Sequence, residues 1–178
     1  METAYGHRCE SDRHDCEGSP MTMFNERQLI AEWFAGAHPA PRRAEAEWAH
    51  HGVALLPLGV RFDALRIPAP YLHAAIGSDH RETVGISLDD WLRGPVVRDV
   101  RTGSGSYYVL IAPGAPWKGQ GTAARLGPGV HLAVPRIGEQ VSPVTFWASQ
   151  PERPGQLCAP AHLAALLATA ESLRVTGS

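Results

Sequence analysis

The spacing of apolar residues divides the chain. Residues 1–20 show no period and are polar and acidic, which reads as a flexible tail ahead of a single folded domain over residues 21–178. In FNERQLIAEWFAG, Phe24, Leu29, Ile30, Trp33 and Phe34 recur at helical spacing, with Asn25 placed to cap the helix and Gly36 to stop it. PRRAEAEWAHHG predicts a second helix, opened by Pro41 and ended by Gly52.

From Val53 the pattern changes to short β-rich runs bounded by Gly and Pro. VALLPL and RFDALRI read as an opening hairpin joined at Gly59, and Pro57 places the first strand at an edge or ends it early. Alternation puts Arg61, Asp63 and Leu65 on one side of the second strand and Phe62, Ala64 and Arg66 on the other. Asp63 is then expected to neutralise Arg61 or Arg66 on a wet face. PAPYLHAAIG and SLDDWLRG predict short helices, the latter with Ser87 as N-cap, acids in its first turn and Gly94 past its end. PVVRDV and SYYVLIA flank the turn RTGSG as a hairpin, VHLAVP and VTFWAS follow as strands, and PAHLAALLATAESL closes as a helix. This order predicts an α+β fold with a mostly antiparallel sheet.

Composition narrows the class. The chain has 178 residues, 44% of them apolar and 19% charged, which suits one soluble globular domain with a sizeable core. The net charge of -2 gives no general attraction to phosphate backbones. Cys9, Cys16 and Cys158 do not make an even disulfide framework, the start METAYGHRCE lacks a secretory pattern, and no apolar run is long enough to span a bilayer. The expectation is a cytoplasmic protein with no membrane attachment.

Most chemistries are poorly served. His7, Cys9, His14 and Cys16 are zinc-ligand types, but their two pairs lie too close together, and without apolar flanks, to enclose a metal. RTGSGSYY lacks the lysine of a P-loop and the helix of a dinucleotide site. There is no Gly-x-Ser-x-Gly elbow, and Cys158, beside Pro160, reads as a core cysteine. Acids two apart in the folded region occur only as Glu45 and Glu47 on a helix, where they diverge, and Asp89 and Asp90 are adjacent. No cofactor, metal site or catalytic residue is therefore expected.

The segments LLPLGVRFDALRIPA, RGPVVRDV, SYYVLIAPGAPW, LGPGVHLAVPRIGEQVSPVTFWASQP and LCAPAHLAALL, in this order, resemble the small actinobacterial proteins described as bifunctional DNA primase/polymerase N-terminal-like. The resemblance covers roughly residues 48–168. It implies a primase-polymerase-like α+β fold. It also implies a strand bearing Asp-x-Asp or Asp-x-Glu, a later His and a third acid, which in that family bind metals and the incoming nucleotide. Here SYYVLIAPG has no acid, PVVRDV has only Asp99, and His131 stands near the family's histidine as an ordinary strand residue.

Two principal readings follow. One is a catalytically inactive module that serves as a protein-interaction or regulatory accessory, with Trp91 and Trp117 as interface candidates. The other is a weak binder of single-stranded nucleic acid or nucleotide. Arg93, Arg98, Arg101, Lys118, Arg125 and Arg136 meet only Asp99 between residues 91 and 136, with aromatics interleaved. Arg98, Arg101, Trp117, Lys118 and Arg125 are its expected contacts. An enzyme of unrecognised type is the third reading. Because no strand supplies paired metal-binding acids, the purified protein is expected not to extend a primer with Mg²⁺ or Mn²⁺; extension abolished by changing Asp63 or Asp99 would refute this.

Overall fold

The computed structural model describes residues 20–119 and 123–176. The segment read as a tail, with His7, Cys9, His14 and Cys16, lies outside the described residues apart from Pro20. Helices α1 (Pro20–Ala35) and α2 (Pro41–His51) come first, followed by strands β1 (Val53–Pro57) and β2 (Asp63–Pro68). Helices α3 (Ala69–Ile76) and α4 (Arg81–Leu92) precede β3 (Val96–Asp99), β4 (Ser106–Ile111), β5 (Ala124–Leu126), β6 (His131–Pro135) and β7 (Thr145–Ser149). Helix α5 (Pro160–Thr176) closes the described chain. The class is α+β, and every strand pairing is antiparallel. None of the described helices is long and apolar enough to cross a membrane.

A five-stranded sheet in the order β5-β2-β4-β3-β7 forms the middle layer. Its faces carry different residues of the same strands, as the two-residue period of a strand requires. On one side Ala64, Val97 and Leu110 join a core with Phe34 of α1, Trp48 of α2, and Ala54, Leu56, Leu132 and Val134 of a two-stranded layer made by β1 and β6. On the other side Leu65, Ile67, Val96, Val109 and Ile111 meet Leu72 of α3, Val84 and Leu88 of α4, and Leu163 and Leu166 of α5. Cys158 belongs to this second core, and burial pushes its thiol up to about 12.

The pairing of β1 with β2 is corrected. After Pro57 the Leu58 N–H donates to the Val130 carbonyl, extending the association with the β6 side, and the Gly59 N–H closes a turn onto the Phe62 carbonyl. Phe62 drops into the first core and the chain enters the other sheet. Ala54 and Leu56 consequently face Ala64 across the core and do not lie beside it. The partners of β2 are β4 and the short β5, which the sequence pattern did not reveal.

Two helix starts also differ from expectation. Helix α1 begins at Pro20, so Asn25 is internal. Helix α4 begins at Arg81, so Ser87 is no cap: its hydroxyl donates to the Thr83 carbonyl, and Asp89 and Asp90 fall in the last turn. Within α4, Gly85 serves contact, since a Cβ there would lie 3.2 Å from the Ala148 carbonyl oxygen of β7. The C-cap of α4 is Arg93, and Gly94 instead lets the chain pass Cys158, whose Sγ a Cβ would meet at 2.8 Å.

Asp63 is not on a wet face. It is 0% exposed, and its Oδ2 accepts from Arg125 Nη2 at 2.5 Å and from the Gly114 N–H at 2.9 Å. Its Oδ1 is buried with no partner among the described residues. Arg61 lies over the Trp33 ring, and Arg66 donates from Nε to Ser106, so neither is its counter-ion. The carboxylate ties β2 to β5 and to the loop after β4. Removing Arg125 strands a wholly buried charge, whereas Asp63→Asn removes the charge and keeps an acceptor for Gly114. Arg125→Met is expected to cost about 3–5 kcal/mol in chemical denaturation and Asp63→Asn clearly less; the reverse order would show that the pair is not what stabilises this edge.

Candidate functional site

The β3–β4 hairpin divides the candidate functional residues between the two faces of the sheet. The register places Arg98 opposite Tyr107 on β4 and Phe146 on β7, and places Asp99 opposite Ser106 and Thr145. Opposed residues share a face and neighbours along a strand alternate. Arg98, Tyr107 and Phe146 therefore form one row toward α3 and α4. Asp99, Ser106 and Tyr108, with Arg66 opposite Tyr108, occupy the other face.

On the helix side the row floors a pocket of about 200 Å³, walled by His73 of α3, Asp79 of the connecting loop, and Arg81 and Val84 of α4. Arg98 is 9% exposed; its Nη1 donates to the carbonyls of Asp99 and Ser106 and its Nη2 to that of Ser104, which binds the hairpin turn to its own strands. The guanidinium lies 4.5 Å from the centre of the Tyr107 ring. The Tyr107 hydroxyl and His73 Nε2 are 2.9 Å apart. Burial lowers the His73 pKa, the Arg98 charge lowers it further, and Asp79 opposes both. Burial raises that of Tyr107, against the pull of Arg98.

The opposite face opens as a cleft of about 350 Å³, lined by Asp99, Arg101, Thr102, Ser106 and Tyr108. Asp99 accepts from the Arg101 backbone N–H and side chain, at 2.9 Å from Nε and 2.5 Å from Nη2. Burial alone would push the Asp99 carboxyl up, but the Arg101 hydrogen bonds and charge outweigh this and hold it below its usual range. Arg66 reaches Ser106 Oγ through Nε at 3.2 Å, while its two Nη groups bind nothing among the described residues.

The structure scatters the basic residues that the sequence suggested as one group. Arg98 and Arg101 belong to opposite faces of the hairpin, and Arg125 is taken by Asp63 at the β5 edge. Trp117 is half-buried against the second core and donates its Nε1–H to the Ala123 carbonyl, while Lys118 beside it is exposed. Trp91 on α4 is 43% exposed. His131 is exposed on β6. The pairing of Arg98 with Tyr107 follows from the hairpin register alone. Phe146 and Arg81 needed the β3–β7 pairing and the true start of α4, neither of which is written in local pattern.

Metal ligation of the kind the resemblance implies does not fit these residues. Asp63 pairs with Ile111 at one end of β4 and Asp99 with Ser106 at the other, on opposite faces, and each carboxylate is neutralised by its own arginine. Among the described residues no three His, Cys, Asp or Glu side chains are grouped to hold an ion. Comparison of the chain with protein-family profiles, with curated proteins and with solved structures returns no match.

A base whose pKa is lowered on folding contributes stability that is present above its unfolded value and lost as pH falls below it. The unfolding free energy of the wild type relative to His73→Gln is therefore expected to shrink as pH drops below 6.5. A difference that stays constant between pH 7.5 and 5 (about one unit or more either side of an ordinary histidine) would refute the half-buried, neutral imidazole.

Proposed function

We propose that this chain is a non-catalytic accessory module of primase-polymerase-like ancestry that holds a phosphate-bearing ligand, a nucleotide or a short single strand, weakly on the open end of its sheet. The observation that carries the reading is the surplus of donors around the cleft. The Arg66 Nη groups and the hydroxyls of Thr102 and Tyr108 have no hydrogen-bond partner among the described residues, and the one acid there, Asp99, is consumed by Arg101. Such a surface favours an acceptor-rich anion, and the Tyr108 ring offers a face for stacking a base. The non-catalytic half is supported by the separation and individual neutralisation of Asp63 and Asp99. The accessory half is supported by Trp91, the most exposed of the five tryptophans, because aromatics are enriched at interface cores.

One uncompensated cation at the cleft, Arg66, predicts a salt slope of about 0.7, the contribution of each neutralised phosphate of a single strand. Anisotropy of a labelled oligothymidylate at rising NaCl reads this directly. Arg66→Ala is expected to lower the slope by about 0.7 and Tyr108→Leu to weaken binding without altering it. No binding by the wild type at low salt, or unchanged binding by both variants, would sink the nucleic-acid reading and leave the protein-contact role through Trp91.

A further inference from the structure

We propose that the pocket between the sheet and helices α3 and α4 is a binding site for a small organic monoanion, a carboxylate carrying an apolar or aromatic body. Its floor holds a nearly buried cation that no carboxylate of the described residues pairs. Arg98 is 9% exposed and always charged, yet none of the ion pairs among the described residues includes it. Its three hydrogen bonds run to neutral carbonyls, and its Nε–H has no partner among the described residues. A cation kept in a low-dielectric wall without a carboxylate attracts an anion far more strongly than a solvated one does.

The other lining groups set the ligand's charge and shape. Arg81, whose guanidinium lies 4.1 Å from the centre of the Phe146 ring and donates to Gln140, adds a second cation, and Asp79 is the only acid in the lining. His73 faces Tyr107 and Arg98 and is kept neutral near pH 7 by burial and by that cation, against Asp79. Two guanidinium groups and one carboxylate leave a single net positive charge, which matches a monoanion and not a phosphate dianion. Val84, Val100, Phe146 and Ala148 supply apolar wall. A volume of about 200 Å³ is below the range of roughly 300–1,000 Å³ that drug-sized ligands occupy, so the ligand is smaller than these. This site uses the face of the hairpin opposite the donor-rich cleft and does not depend on that cleft's function.

Calorimetric titration of the full chain at pH 8, where inorganic phosphate is mainly the dianion, with benzoate, phenylacetate and 3-methylbutyrate, and with benzamide and inorganic phosphate as contrasts, tests the assignment. At least one carboxylate is expected to bind, with benzamide and phosphate each about tenfold weaker or more, the loss of one charged hydrogen bond. Arg81→Gln at the exposed start of α4, and Val100→Trp at the exposed rim, are each expected to weaken that carboxylate by about tenfold while leaving the far-ultraviolet circular dichroism unchanged. Arg42→Gln on α2 should bind as the wild type does. Absence of binding by all three carboxylates, benzamide or phosphate binding as tightly as they do, or a folded Val100→Trp variant with undiminished affinity would each overturn the proposal.

Discussion

The guanidinium of Arg98 holds the β3–β4 hairpin in the form that both clefts require. Its hydrogen bonds to the carbonyls of Ser104, Asp99 and Ser106 reach from the turn to both strands, so the turn cannot open without exposing a buried cation. Removing an ion of this size from water costs several kcal/mol, and hydrogen bonds to a charged group return about 1.5–3 kcal/mol each. Three of them bring the total near balance. The hairpin is thus held in a single arrangement by a charge that is solvated by backbone oxygens and not by a counter-ion, and its field remains available on the helix side. At 4 Å and an effective dielectric near 20 that field is worth about 4 kcal/mol to a monoanion before its own desolvation.

Back-to-back sites on one strand pair follow from strand geometry. Tyr107 and Tyr108 are adjacent, so one ring faces the pocket with His73 and the other faces the cleft with Arg66. Arg98 and Asp99 divide in the same way. A two-residue period forces this wherever both faces of a sheet are covered near one end and polar residues are gathered there. The central strands pack into the upper parts of both cores through Leu110 and Val109, which leaves the lower ends of β3 and β4 as the places where polar side chains collect.

How much of this could be read beforehand depended on sequence separation. Helices α1, α2 and α5 and the β3–β4 hairpin rest on local signals, namely helical spacing, Pro41 and Gly52 as punctuation, and a glycine-rich turn between apolar runs. Strand β5 is three residues long with only a partly buried Leu126, too short to leave a period. The β1–β6 pairing joins segments more than seventy residues apart, and nothing local to VALLPL distinguishes it from half of a hairpin with RFDALRI. Asp63 was misassigned for a related reason. Alternation located its side of the strand correctly, but whether that side is wet depends on Arg125 and Gly114, which only the folded chain brings near. The candidate sites were visible to the same extent. Arg98 and Arg101 were identified as important cations, while their separation onto two faces required the register.

The treatment of charge along the sheet bears on what kind of protein this is. A metal-dependent active site gathers carboxylates and tolerates their repulsion because the ion offsets it. Here the two strand acids are far apart and each is matched at 2.5 Å by its own arginine, so neither end of the sheet carries the surplus negative charge that such an ion would neutralise. The surplus has the other sign. Arg98 on one face and Arg66 on the other are among the cations that no ion pair of the described residues includes. On the readings proposed above both sites take anions, one through a single net positive charge beside apolar wall, the other through a surplus of hydrogen-bond donors. Acids neutralised pair by pair, with cations left beside tyrosines, suit the proposed holding of negatively charged ligands better than their activation.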